Sequence, residues 1–465
     1  MQRNIVVVVL DSVRKDFFDM YASRLVDGAD ISISQCRAAS NWSPPSHGAM
    51  VTGELPSVSG IHSHDPSYAD VPIDATLFDA LDSYYTFGIS SNLFVSESYS
   101  FDKYFDDFFG ISRDSVFARG GDIDAIYQEI ETDGPRRYVE FLKRTLRQEE
   151  TALSVANGLA LKLNDVISTT RVPRLWDFGT RASLDHAENI IVGNDDGPVF
   201  GFMNLMETHN PHANNVFYGA ESVPNNWSSS QYNTYEFNNH VRDGTAETEY
   251  IDNYGALYAE SIEYVDRRLS SFIDRIQRQT ERETTFVVTA DHGENLGEPE
   301  NDGLVGHIGN LSEALLHVPL LVFNPPEPLE DGDTGYVSHL DFKTVIEGLV
   351  ADEMVVPRRD RVPAEVVGSA PPAGVDNYDY WDRMQRAVYG DDRKYVWDSD
   401  SRSVYRFERE VPGKQERIEA QWPADIESEF FETPLPAYKA QFSEGQRKEW
   451  GDNAPVDRLK ELGYL

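Results

Sequence analysis

Three short apolar runs in this chain share a design that few folds accommodate. Each is rich in β-branched residues, and each ends in side chains able to do chemistry. Ile5 to Leu10 ends at Asp11, Val199 to Met206 ends at Glu207 and His209, and Phe286 to Thr289 ends at Asp291 and His292. Runs this apolar, without polar alternation, mark parallel strands covered on both faces. Between them lie helical patterns: Tyr258, Ile262, Val265, Leu269, Phe272 and Ile276 recur three or four apart and so share one face. Strand alternating with helix predicts an α/β fold, doubly wound about a mainly parallel sheet. Ligands of such sheets sit beyond the carboxyl ends of the strands, which is where these acids and histidines fall.

At 465 residues the chain exceeds what one core usually serves. A large domain over residues 1–355 and a small C-terminal α+β subdomain over 356–465 are expected. Residues 112–190 are helix-like and charged, with no strong strand, and are expected to be a helical insertion. Asn324 to Gly335, rich in Pro, Glu and Asp, predicts an exposed loop, and a helix near Asp341 to Val350 closes the larger domain. Beyond a second Pro-rich stretch, Ala387 to Tyr389, Lys394 to Trp397 and Ser403 to Phe407 predict an antiparallel meander.

Charge narrows the partners. Seventy-nine acids against 41 Lys and Arg give a formal net charge of -38, which repels a nucleic-acid backbone. The acids are spread between apolar segments, so they form a solvated coat rather than a disordered tail. A coat of this kind suits multimolar salt, where the Debye length shrinks to roughly 3 Å, and a halophilic source is expected. The single cysteine, Cys36, allows no intrachain disulfide and no thiolate metal cluster. With no signal-peptide-like start, and with Ile5 to Leu10 too short to span a membrane, a cytoplasmic protein is expected.

Attack on a sulfate or phosphate ester needs an oxygen nucleophile, a cation to lower its pKa, and donors for the developing charge. Candidates for each are present. Asp11 and the pair Asp291 and His292 come from two strand ends and are hard-to-borderline metal donors. Ser43 begins the segment SPPSHGAMVTG, in which two prolines favour a helix start and Gly53 can end the helix. Its hydroxyl would face the positive end of the helix dipole.

These segments resemble the sulfatase family of the alkaline-phosphatase superfamily. SPPSHGAMVTG is similar to the signature CxPSRxxxLTG, with Ser43 where that family carries the residue converted to formylglycine. LDSVRKD resembles DDxRxD, with Asp11 as a metal ligand, and TADHGENLG resembles SDHGExLG. VGHIGNLSEALLHVPLLV, FDKYFDDFF, METHNP and the closing RLKELGYL also have counterparts, so the likeness spans nearly the whole chain outside the insertion. It implies an alkaline-phosphatase-like fold and one divalent cation held by Asp11, Ser43, Asp291 and His292. That ion is calcium by resemblance, with manganese or zinc also suited to two carboxylates and an imidazole. His209, in the triplet His209, Asn210 and Pro211, would bind ester oxygens or protonate the leaving group. His307 falls close to the family's substrate-binding lysine but not on it.

Two departures bear on the chemistry. Ser12 stands where sulfatases carry a second metal-binding aspartate, and His47 replaces the arginine of CxPSR. Both lean toward the related phosphodiesterases and phosphoglycerol transferases, whose nucleophile is an unmodified hydroxyl. The implied activity is metal-dependent hydrolysis of a sulfate ester by Ser43 or its formylglycine derivative. The alternatives are a phosphodiesterase or phosphoglycerol-type transferase, and a non-catalytic relative that binds anionic glycans. The partner is a small-molecule or glycan ester, with no nucleic acid and no membrane span.

Overall fold

Asn4–Leu10 is the middle strand of a seven-stranded sheet. The computed structural model describes residues 2–113, 116–117, 152–158, 160, 172–329, 335–409 and 411–442. In chain order the strands of this sheet are β1 (Asn4–Leu10), β2 (Ile31–Ser32), β3 (Tyr85–Ser90), β4 (Asp107–Gly110), β5 (Val199–Leu205), β6 (Thr284–Ala290) and β7 (Leu320–Phe323). Their spatial order is β2-β7-β6-β1-β5-β3-β4. Strands β6, β1, β5, β3 and β4 are mutually parallel, whereas β7 runs antiparallel to β6 and β2 antiparallel to β7. Every residue of β1, β5 and β6 is buried. Because neighbouring side chains on a strand point to opposite faces, both faces of the sheet are covered.

Register places the site. Leu10 pairs with Ala290 on one side and Leu205 on the other, so the chain leaves the sheet at Asp11, Asp291 and Met206 along a single line. The helix expected around Tyr258 to Ile276 runs from Thr248 to Gln279, because Tyr250 and Tyr254 continue its buried face toward the N-terminus. It packs against Thr180–Gly193, Lys15–Tyr21 and Ser23–Gly28, while Ser43–Thr52 packs with Phe342–Val350, the helix expected near Asp341 to Val350.

The expected meander is a five-stranded antiparallel sheet of Arg361–Val367, Met384–Gly390, Arg393–Trp397, Arg402–Arg406 and Glu416–Ile418, paired in chain order. Buried ions tie it to the rest of the fold. Glu365 accepts from Arg386 Nε at 2.7 Å and from the Ser57 N–H at 2.7 Å. Lys394 donates to the Leu311 carbonyl at 2.8 Å, and Glu313 lies 3.3 Å from Arg37. Most of the expected insertion, residues 114–115, 118–151, 159 and 161–171, lies outside the described residues, as does the closing RLKELGYL segment.

Candidate active site

Ser43 opens the ten-residue helix Ser43–Thr52, every residue of which is buried. Pro44 and Pro45 occupy the first turn, where a missing N–H costs nothing. Gly53 ends the helix in the left-handed region at φ 75°, its N–H bonded to the Ala49 carbonyl at 2.9 Å. The Ser43 hydroxyl donates to Asp11 Oδ2 at 3.3 Å and accepts from Asn92 Nδ2 at 3.0 Å. The same amide donates to Asp11 Oδ2 at 2.7 Å. Its orientation is fixed because Asn92 Oδ1 accepts the Phe94 N–H at 2.8 Å.

Asp291 and His292 face Asp11 across the line of strand ends. One donor atom from each of the three lies within 4.8 Å of the other two, and all three residues are buried. The His292 Nδ1 faces the Gly293 carbonyl at 2.9 Å, so Nδ1 carries the proton and Nε2 is left as a bare lone pair. That Nε2, like Asp291 Oδ2, has no hydrogen-bond partner among the described residues. Two buried donor atoms stranded over one gap are costly unless a cation fills it, so the residues present fit a divalent ion. Gly293 is obligatory here: a Cβ would sit 1.9 Å from the Ala314 carbonyl oxygen.

Ser12 has a defined task in place of a second aspartate. Its backbone takes the left-handed conformation, φ 65°, which turns its N–H onto Asp291 Oδ1 at 3.0 Å. Its hydroxyl donates to Asp11 Oδ1 at 3.0 Å. One residue therefore clamps both carboxylates. His47 is likewise structural and neutral. Its Nδ1 bonds the Ser43 carbonyl at 2.9 Å, its Nε2 accepts from Asn204 Nδ2 at 3.3 Å, and burial pushes its pKa down to about 4. Arg14 makes a bidentate pair with Asp16, at 2.7 Å for each bond, and is closed in by Glu298. It holds the loop rather than facing the site.

The charges divide between the carboxylates. Burial alone raises the Asp11 carboxyl, but His209, His292 and the Asn92 amide outweigh it and hold it below the usual carboxylate range. Burial and the Asp11 charge push Asp291 well above that range. His209 is also brought in: its Nε2 lies 4.0 Å from Asp11 Oδ1, its Nδ1 bonds the Asn210 carbonyl, and burial pushes it down to about 3. Arg113 fixes this turn by donating to the carbonyls of His209 at 2.9 Å and Asn210 at 3.0 Å. His307 stacks beside both imidazoles, with ring centroids 5.1 Å from His209 and 4.6 Å from His292, and bonds Glu294 Oε2 through Nδ1 at 3.2 Å. All of Asp11, Ser43, His209, Asp291, His292 and His307 thus converge.

A family model described as Sulfatase matches residues 3–350. The chain belongs to the sulfatase family. It is a sulfatase-like ester hydrolase, and among solved structures its fold is shared by several relatives. A 2-O GAG sulfatase is 13% identical, with 87% of this chain and 85% of that chain covered and a TM-score of 0.55. The phosphonate monoester hydrolase of Silicibacter pomeroyi is 12% identical, with 87% and 89% covered and a TM-score of 0.58. A protein solved with its substrate D-glucosamine-2-N,6-O-disulfate is 13% identical, with 97% and 100% covered and a TM-score of 0.54. At such identities the likeness speaks for the fold alone. No curated protein matches the chain in sequence.

Sequence reasoning missed Asn92 and Asn204. Asn204 Nδ2 reaches Asp11 Oδ2 at 3.3 Å as well as His47. Each had a signal: Asn204 is a lone amide inside the apolar run Val199–Leu205, and Asn92 follows the strand Tyr85–Ser90 in the manner of the other chemical residues. Asn92 supports both the nucleophile and a carboxylate. Asn92→Ala is therefore expected to lower kcat by roughly 10- to 100-fold, and steady-state kinetics beside a melting curve separates this from unfolding.

Glu207 in the METHNP segment is buried away from this gap and accepts from the Phe178 N–H, the Thr180 hydroxyl and the Tyr218 hydroxyl. Burial, then the charge of Asp177, pushes it up to about 7 from an ordinary 4.5. The folded protein thus holds a proton that the unfolded chain gives up above pH 4.5. Stability falls as pH rises from there to about 7, and the loss persists at higher pH. Glu207→Gln should remove this dependence, on the order of 3 kcal/mol between pH 4 and pH 8. Denaturant titrations of both proteins at the two pH values read it directly.

Proposed function

We propose that this sulfatase-family protein hydrolyses sulfate esters, with Ser43 or its formylglycine derivative as nucleophile and one divalent cation held by Asp11, Ser43, Asp291 and His292. The observation that carries the reading is the Ser43 hydroxyl, bonded to Asp11 and Asn92 beside the donor atoms of Asp291 and His292 that have no partner among the described residues. When bound, the cation supplies positive charge that favours the ionised hydroxyl and neutralises the ester oxygens. Calcium, manganese and zinc all suit the donors.

The chain's own residues do the rest. Asn92 holds the Ser43 oxygen in place, and Ser12 keeps both carboxylates aimed at the gap. The Ser43 proton leaves toward Asp11 Oδ2, to which the hydroxyl is bonded, and from there to solvent. The new bond forms from Ser43 Oγ to sulfur, the bond from sulfur to the alcohol oxygen breaks, and that oxygen takes up a proton from water, with His209 beside Asp11 assisting its departure. Water then cleaves the covalent intermediate. His307, bonded to Glu294, lies in ring contact with His209 and His292.

A second reading, transfer or hydrolysis of a phosphate diester by unmodified Ser43, is favoured by Ser12 and by the neutral His47. Mass spectrometry of the peptide containing Ser43 separates the two. Loss of two hydrogens marks formylglycine and supports the sulfate reading, and an intact serine with faster turnover of an aryl phosphodiester than of an aryl sulfate overturns it. The non-catalytic reading predicts no turnover of either ester, with or without chelator.

A further inference from the structure

Glu294, the acid of the TADHGENLG segment, is fully buried two residues past His292. A two-stranded antiparallel ladder, Asn295–Leu296 against Val305–Gly306, pairs Asn295 with Gly306 and Leu296 with Val305. One step beyond the ladder, Glu294 therefore stands opposite His307. Both strands are pinned. Arg14 Nη1 donates to the Glu294 carbonyl at 3.2 Å, and Asn238 brackets Val305, accepting its N–H at 2.8 Å and donating to its carbonyl at 2.7 Å. Gly306 sits in the left-handed region at φ 85°, where a Cβ would lie 3.0 Å from the Thr234 methyl.

The Glu294 side chain divides its oxygens between two neighbours. Oε1 accepts the Tyr254 hydroxyl at 2.7 Å, and Oε2 bonds His307 Nδ1 at 3.2 Å. A carboxylate oxygen only accepts, so His307 carries a proton on Nδ1 and turns Nε2 away from Glu294. The ring held in this way has its centroid 5.1 Å from that of His209 and 4.6 Å from that of His292. Tyr254 comes from the long helix Thr248–Gln279 and meets the His212 ring edge-on, with centroids 4.6 Å apart and planes at 87°. The segments that carry His209, His292 and His307 thus meet at one buried pair, Tyr254 and Glu294.

We infer that Glu294, backed by Tyr254, is a positioning residue of the ester-hydrolase site: it acts through His307, fixing the ring so that Nε2 rather than Nδ1 is offered to the ester. Glu294 itself does not touch the reacting atoms. The two nitrogens of an imidazole differ in what they donate and accept, so a ring free to turn over presents the wrong one part of the time. The place of His307 in the reaction rests on the proposed ester hydrolysis, whereas the orientation of its ring is measured without turnover.

The test is a double-mutant cycle on the full chain with calcium present, reading kcat/KM on para-nitrophenyl sulfate and bis(para-nitrophenyl) phosphate. Glu294→Ala and His307→Ala are each expected to lower kcat/KM by roughly 10- to 100-fold. The double variant is expected to fall no more than about threefold below the less active single one, because both remove the same contribution. Glu294→Gln, whose amide oxygen still accepts from Nδ1 while its nitrogen donates to the tyrosine oxygen, is expected to stay within about fivefold of wild type. Should Glu294→Ala fail to fold, Tyr254→Phe takes its place in the cycle, with a loss of about 3- to 10-fold that vanishes on the His307→Ala background. Losses that multiply in the double variant, or full activity in the Glu294 or Tyr254 variant used, overturn the positioning role. A wild-type protein that turns over neither ester overturns the proposed function instead, and proton–nitrogen correlation NMR of the His307 ring then decides the orientation. A ring protonated at Nδ1 in wild type and in Glu294→Gln is expected, and one with its proton on Nε2 alone overturns the inference.

Discussion

Ser43→Ala is expected to lower kcat by at least about 10⁴-fold, because the attacking oxygen itself is removed and little but transition-state binding remains. The protein should stay folded. Asp11 Oδ2 keeps its bonds from Asn92 at 2.7 Å and Asn204 at 3.3 Å, so deleting the Ser43 hydroxyl leaves that oxygen partnered. A melting temperature near that of wild type, together with the loss of turnover on whichever aryl ester the wild type accepts, is the expected pair of results. A Ser43→Ala protein retaining a tenth of wild-type kcat would remove Ser43 from the chemistry.

Stripping divalent ions is expected to slow turnover by about 10³-fold or more, the effect of several kcal/mol of charge stabilisation. Restoring an ion at 100 times its Kd should stabilise the fold by about 2.7 kcal/mol. Asp291→Asn supplies the contrast. In the metal-free protein a buried carboxylate facing Asp11 is a liability, so the amide should leave the fold as stable as wild type or more so, while cancelling both the activity and the stabilisation by added ion. Melting curves of both proteins in chelator and after adding calcium, manganese or zinc read this out. A wild-type protein indifferent to chelator in both melting and rate would empty the proposed metal site of meaning.

Much of the site was legible because strand ends carry it. Asp11, His209, Asp291 and His292 were singled out for following apolar β-branched runs, and the structure places all of them together. His307, which falls close to the family's substrate-binding lysine but not on it, lies in ring contact with both His209 and His292. Ser12 and His47 were legible only as departures from the signature. That Ser12 uses a left-handed turn to bond two carboxylates at once, and that His47 is a neutral link to Asn204, depend on backbone angles and burial that residue types do not encode locally.

Period and punctuation within the sequence settled which segments are strands, which are helices, and that the chemistry lies past the carboxyl ends of parallel strands. A side chain two or four residues away along the chain imposes those patterns, so short windows contain them. The tertiary structure alone decided the meeting of groups remote in sequence: the pairing of Leu10 with Ala290 that sets Asp11 beside Asp291, and the amides of Asn92 and Asn204 that bond Asp11 Oδ2. Strand order and register depend on the collective burial of both sheet faces, a property of the whole chain that no short stretch of it contains.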